Sequence, residues 1–179
     1  MKKLVFLWLM WATFSATAQP LVARNGYIGF FSKTPLENVK AESNQVVAAV
    51  DVSKQTLAFA VLLKGFLFTK ELMQEHFNEN YVESDKYPKA TFNGTYTGTV
   101  DVTKPGTYNV NVKGALTLHG VTKNIEVPAT FQVQPGTLSG TSNFALKPQD
   151  FNIEIPSLVR EKIAQQILVA VQVAFHLSN

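Results

Sequence analysis

Residues 107–131 read TYNVNVKGALTLHGVTKNIEVPATF, and this stretch decides the fold. Tyr108, Val110, Val112, Leu116 and Leu118 share one parity, while Asn109, Asn111, Lys113, Thr117 and His119 share the other. Past a break, Ile125, Val127, Ala129, Phe131 and Val133 alternate with Glu126, Pro128, Thr130 and Gln132. Successive strand side chains point to opposite faces, so a period of two gives one apolar and one polar face. The segment 119–123 reverses the chain, with Gly120 free to take the backbone angles of a tight turn. The stretch predicts a long antiparallel hairpin with one apolar face.

The same alternation extends outward. Downstream, Leu138, Phe144 and Leu146 fall on one face of a strand that contains Gly140. Ile167, Val169, Val171, Val173 and Phe175 alternate with Leu168, Ala170, Gln172 and Ala174 in a last strand. Between them, residues 147–159 carry Pro148 and Pro156 and read as a loop. Upstream, residues 90–102 alternate, and residues 21–31 form a first strand closed by the turn 32–35. Residues 36–44 are polar and read as a loop or short edge. Residues 45–52 and 55–63 are β-branched and aromatic strands joined at Ser53-Lys54. Residues 69–80 change to helical spacing through Leu72, Met73 and Phe77, with Thr69 as the cap. About eight strands, one short helix and no βαβ alternation predict an antiparallel sandwich or barrel.

The chain has 179 residues, and the first eighteen read as a secretory signal. Lys2 and Lys3 precede the apolar run 4–14, and Ala16-Thr17-Ala18 supplies the small residues of a cleavage site after Ala18. The run is short for a bilayer span. A mature domain of residues 19–179 is expected, exported to the periplasm or beyond the cell. The full chain carries 16 basic and 13 acidic residues, but Lys2 and Lys3 leave with the signal, so the mature domain is near neutral. A nucleic-acid partner finds no support in that balance. With no cysteine, disulfides and thiol chemistry are excluded. An outer-membrane barrel would share the alternation. It also calls for aromatic girdles, and both tryptophans, Trp8 and Trp11, lie in the signal.

Four stretches resemble the YceI-like family of exported, lipocalin-like proteins. They are Asp85-Lys86-Tyr87-Pro88-Lys89-Ala90-Thr91-Phe92, Leu116-Thr117-Leu118-His119-Gly120-Val121-Thr122-Lys123, Asp150-Phe151-Asn152-Ile153, and Gly29-Phe30 in the first strand. The second matches the family motif almost letter for letter. The resemblance implies an elongated eight-stranded antiparallel barrel with a helical element and a long apolar interior that binds polyisoprenoid lipids or similar amphiphiles. The chain departs from the family at Asn25, Pro148 and Asn152, where the family often has His, Arg and Gly. Strands of about ten residues would span about 34 Å, or about 26 Å along the axis of a barrel tilted near 40°. Eight strands enclose space that fills with side chains or holds one slender ligand.

The inward-facing set gives the candidate ligand contacts. It comprises Phe30 in the first strand and Tyr96 before the central hairpin, then Tyr108, Val110, Val112, Leu116, Leu118 and Phe131 in the hairpin. Phe144, Val171, Val173 and Phe175 complete it. Burial against them would stabilise a hydrocarbon tail by about 25 cal/mol per Å². Ordinary core packing is the competing role for all twelve. His119 is the head-group candidate, weighed against a turn residue bonding local backbone. Lys33, Lys123 and Arg160 read as solvated edge charges or a surface pair.

Catalytic and metal residues are not assigned. His76, His119 and His176 lack ligand spacing. No G-x-S-x-G setting or phosphate loop is present, and Asp150 and Glu154 fall in a proline-broken connection. No cofactor is implied. The expected partner is a long-chain apolar or amphiphilic small molecule, with no integral membrane span in the mature form. Two other functions fit the same pattern: an enzyme on a lipid-like substrate using His119 as acid–base group, and a filled barrel serving as a protein-interaction module.

Overall fold

A computed structural model describes residues 19–177. The predicted signal segment and its cleavage point at Ala18 lie outside them. Nine strands form one antiparallel sheet: β1 (Leu21–Lys33), β2 (Asn38–Asp51), β3 (Thr56–Leu62), β4 (Leu67–Phe68), β5 (Lys89–Thr97), β6 (Gly106–Leu118), β7 (Val121–Gln134), β8 (Thr137–Leu146) and β9 (Ile167–His176). Their order is β1-β9-β8-β7-β6-β5-β3-β2, and β2 returns to β1 to close an eight-stranded barrel. The two-residue β4 hangs on the edge of β2 through Ala41↔Phe68 and Glu42↔Leu67. Strands of 13 and 14 residues in the β6–β7 hairpin reach about 44 Å, or about 34 Å along a tilted axis.

The central hairpin forms with an unbroken ladder from Gly106↔Val133 to Leu118↔Val121. Its turn is tighter than the five residues expected, since only His119 and Gly120 lie outside the ladder. Both have positive φ, 50° and 72°, the signature of a two-residue turn that follows the strand twist. A side chain on Gly120 would also strike the Tyr87 ring.

Other expectations need correction. Residues 38–44 are not a loop, because β2 runs unbroken from Asn38 to Asp51 and pairs with β1 along most of its length. Its inward positions there are Val39, Ala41 and Ser43, too small or polar to announce a strand. β5 stops at Thr97, where Gly98 turns the chain with φ 116°, so Val100 and Val102 belong to a connection. The helix α1 is Glu71–His76, its N-cap is Lys70 rather than Thr69, and no side chain caps it. A wider turn over Phe77–Tyr81 follows.

The interior packs as two clusters. One gathers Tyr96, Val110, Val133, Leu138 and Phe175 at the end where β7 meets β8. The other gathers Val61, Leu63, Phe66, Val82, Phe151 and Ile153 at the opposite end. The first end is shut by short connections, and the Tyr108 hydroxyl donates to the carbonyls of Lys104 (2.9 Å) and Asp101 (3.2 Å). The second end carries the long connections 63–88 and 147–166 and forms the mouth.

Two features shape the wall. The inward Gly94 and Gly114 face each other across β5 and β6. A Cβ on either would lie 2.8 Å from Phe92 Cζ, so the Phe92 ring lies across a gap that only glycine leaves open. The β7–β8 ladder covers only Thr130–Gln134 against Thr137–Thr141. Toward the mouth the two strands are unpaired, starting next to Pro128, which has no N–H to donate. The Ser142 hydroxyl donates to the Pro128 carbonyl at 2.7 Å and marks the top of the seam's closed part.

Candidate ligand-binding cavity

The side chains of the two clusters line two adjoining cavities inside the barrel. The upper cavity opens at the mouth and encloses about 1800 Å³ free of protein atoms, open rim included. The lower cavity holds about 860 Å³ on the same measure. Ile28, Val61, Ala90, Leu116 and Phe144 line both, so the parts meet at one waist.

Chemistry changes with depth. The lower cavity has no charged residue in its wall, and its polar side chains are Thr91, Thr141 and Ser142. The upper cavity adds Ser32 and Tyr81, and at its rim Glu37, Lys70, His76, Lys147 and Lys162. Burial pushes the Tyr81 phenol pKa up, which keeps it a neutral hydroxyl. Lys70 donates to Glu37 at 3.0 Å.

Four phenylalanines from three segments cluster at the mouth. Phe30 of β1 stands 5.4 Å from Phe66, 5.7 Å from Phe68 and 5.3 Å from Phe77 between centroids. Phe68 and Phe77 are 5.1 Å apart. Tilted and edge-on rings at these distances attract beyond simple burial, and they hold α1 and the following turn over the opening. The 147–166 connection is tied down on the other side. Its Phe151 is 1% exposed, and its Ala164 N–H donates to the buried Ser32 hydroxyl at 2.8 Å.

The sequence-predicted contacts distribute along this axis. Phe30 and Leu118 line the upper cavity, Leu116 and Phe144 the waist, and Val112, Phe131, Val171 and Val173 the lower cavity. Tyr96, Tyr108, Val110 and Phe175 face inward but line neither cavity, and they pack at the shut end. Phe66, Phe68, Phe77, Phe151 and Ile153 were not among the candidates. Aromatic recurrence in Gly65-Phe66-Leu67-Phe68 and the pair Phe151–Ile153 were their signal.

His119 lines neither cavity. Its Nδ1–H donates to the Phe151 carbonyl at 3.0 Å, and Nε2 sits 2.8 Å from Glu83 Oε2. Its ring meets Tyr87 edge-on at 4.8 Å. Its partners lie 32 and 36 residues away in sequence, so it bonds two distant connections rather than its own turn. Asn152 has φ 56°, a left-handed conformation that Asn tolerates where the resembling motif has Gly. Asn25 is exposed in β1, beside an irregularity in the β1–β2 register. Pro148 lies on the upper cavity wall. Among the described residues no helix is long and apolar enough to cross a membrane.

Comparison with known proteins places this geometry. The profile of the YceI-like domain matches residues 21–176. No curated protein sequence matches the chain. Three solved structures share the fold at low identity. BcnA of Burkholderia cenocepacia is 16% identical, with 83% of this chain and 95% of that one covered and a TM-score of 0.72. A polyisoprenoid-binding domain from Saccharophagus degradans, implicated in plant cell wall breakdown, is 15% identical, with coverage of 89% and 98% and a TM-score of 0.74. The YceI protein of Campylobacter jejuni is 15% identical over the whole of both chains, with a TM-score of 0.59.

Proposed function

The chain belongs to the YceI-like domain family, and from that premise we propose that it is an exported, non-enzymatic carrier that shelters a long-chain amphiphile, such as a polyisoprenoid, in the barrel. The observation that carries this reading is the pair of adjoining cavities, one at the mouth and a lower one without a charged wall residue. A hydrocarbon tail there leaves water at about 25 cal/mol per Å², and cavity depth would select chain length. The polyisoprenoid-binding neighbour of the same fold supports the ligand class. Export rests on the Lys2-to-Ala18 segment, which would deliver the carrier to the periplasm or the exterior.

The open bore also weighs against a filled interaction module. An enzymatic role for His119 gains no support, since the ring lines neither cavity and both nitrogens are engaged. Native mass spectrometry of the protein purified from its own host tests the carrier reading. A co-purified lipid of defined mass is expected, and protein that is consistently empty and fails to take up long-chain amphiphiles would end it.

A further inference from the structure

The rim of the upper cavity is unbalanced in charge. Its charged or basic side chains are Glu37, Lys70, His76, Lys147 and Lys162. Glu37 and Lys70 neutralise each other at 3.0 Å. Lys147 and Lys162 make no ion pair with any described residue. The acids of the same connection, Asp150, Glu154 and Glu161, do not line the cavity. Two lysines without an ion-pair partner among the described residues therefore line the cavity at the mouth.

Depth fixes the orientation of whatever enters. Below the waist Thr91, Thr141 and Ser142 are the polar side chains of the wall, and the Ser142 hydroxyl is spent on the Pro128 carbonyl. A charge driven into that chamber would lose its hydration with no opposite charge and at most the Thr91 and Thr141 hydroxyls in return. An amphiphile must enter tail first and leave its head at the rim.

Resting on the carrier reading, we propose that the ligand is a single-headed acidic amphiphile, a carboxylate or phosphate ester, whose anionic head lies between Lys147 and Lys162. The anion gains charge-assisted hydrogen bonds from the two lysines. A neutral head of equal tail length gains only burial, and a cationic head adds repulsion. Both lysines are exposed, so the preference weakens in salt.

The test is displacement of N-phenylnaphthylamine, a neutral apolar fluorophore, from protein made by expressing the full chain. Palmitate, hexadecyl phosphate, hexadecanol and hexadecyltrimethylammonium compete below their micelle concentrations. The acidic pair should displace the probe at about tenfold lower concentration than hexadecanol, the worth of a modest charge-assisted bond. That ratio should fall toward one in Lys147→Gln/Lys162→Gln and in high salt. Equal displacement by hexadecanol, or a ratio that survives in the double variant with an unchanged melting temperature, overturns the proposal while the carrier reading stands. Failure of all four competitors would sink both.

Discussion

His119 Nε2 lies 2.8 Å from Glu83 Oε2, so the turn of the β6–β7 hairpin grips the connection that precedes β5. The other ring nitrogen grips Phe151 in the connection before β9. One side chain thereby fastens both long segments of the mouth to the rigid hairpin. Replacing it by Ala should cost about 1–2 kcal/mol through the two lost bonds. The barrel ladder should stay intact, while amides of residues 148–153 exchange faster with solvent. Wild-type exchange there would refute the clasp.

Ala90 lines both cavities and stands at their waist. Ala90→Phe should close the passage while leaving the upper cavity accessible. Each methylene kept out of apolar space costs about 0.8 kcal/mol, so exclusion of two weakens a long tail about tenfold. Short tails that end above the waist should keep their affinity. A displacement series in tail length measures this, and an unchanged length profile would count against a continuous bore.

Gly114 faces Gly94 across β5–β6, beneath the Phe92 ring. Gly114→Val forces a branched side chain into backbone and ring at once. A loss of about 2 kcal/mol or more is expected, read as a lower denaturant midpoint at constant slope. A midpoint equal to wild type would show that the corner has slack the geometry does not predict.

Asp51 closes the β2–β3 turn at the shut end. Its carboxylate accepts from the Ser53 hydroxyl at 2.6 Å and the Lys54 N–H at 3.0 Å, and pairs with Lys54 Nζ at 3.2 Å. The Ser53 bond, followed by the Lys54 N–H, lowers its pKa from 3.8 to about 2. A carboxyl depressed on folding adds stability that is full above its unfolded pKa and lost as pH falls through the folded one. Wild type should therefore exceed Asp51→Asn in stability at pH 5, and the gap should shrink between pH 4 and pH 2. Denaturant midpoints of both proteins across that range are the measurement, and a gap independent of pH would contradict the assignment.

Period two revealed the wall but not the ends. In β6 and β7 large apolar residues alternate with polar ones, so strand and face followed directly. In β2 the inward residues near the mouth are Val39, Ala41 and Ser43, and with small side chains the alternation fades below notice. Alternation also says which face a residue takes and nothing about its depth. Val112 and Val110 are two positions apart on one face, yet the first lines the lower cavity and the second belongs to the shut end. The mouth was hidden for another reason. Phe66, Phe77 and Phe151 come from a turn, the turn after α1 and a 3₁₀ segment, which are far apart in sequence and meet only in the folded barrel. For His119, a turn was legible, but partners so distant in sequence were not.

The seam that opens beside Pro128 makes the tube unequal in its two dimensions. Its length is set by strands of fixed rise, whereas one side of its wall, like a garment slit partway to the hem, carries no rungs beyond Thr130 and Thr141. A thick guest would press against that unladdered flank, and an overlong one against the packed residues of the shut end.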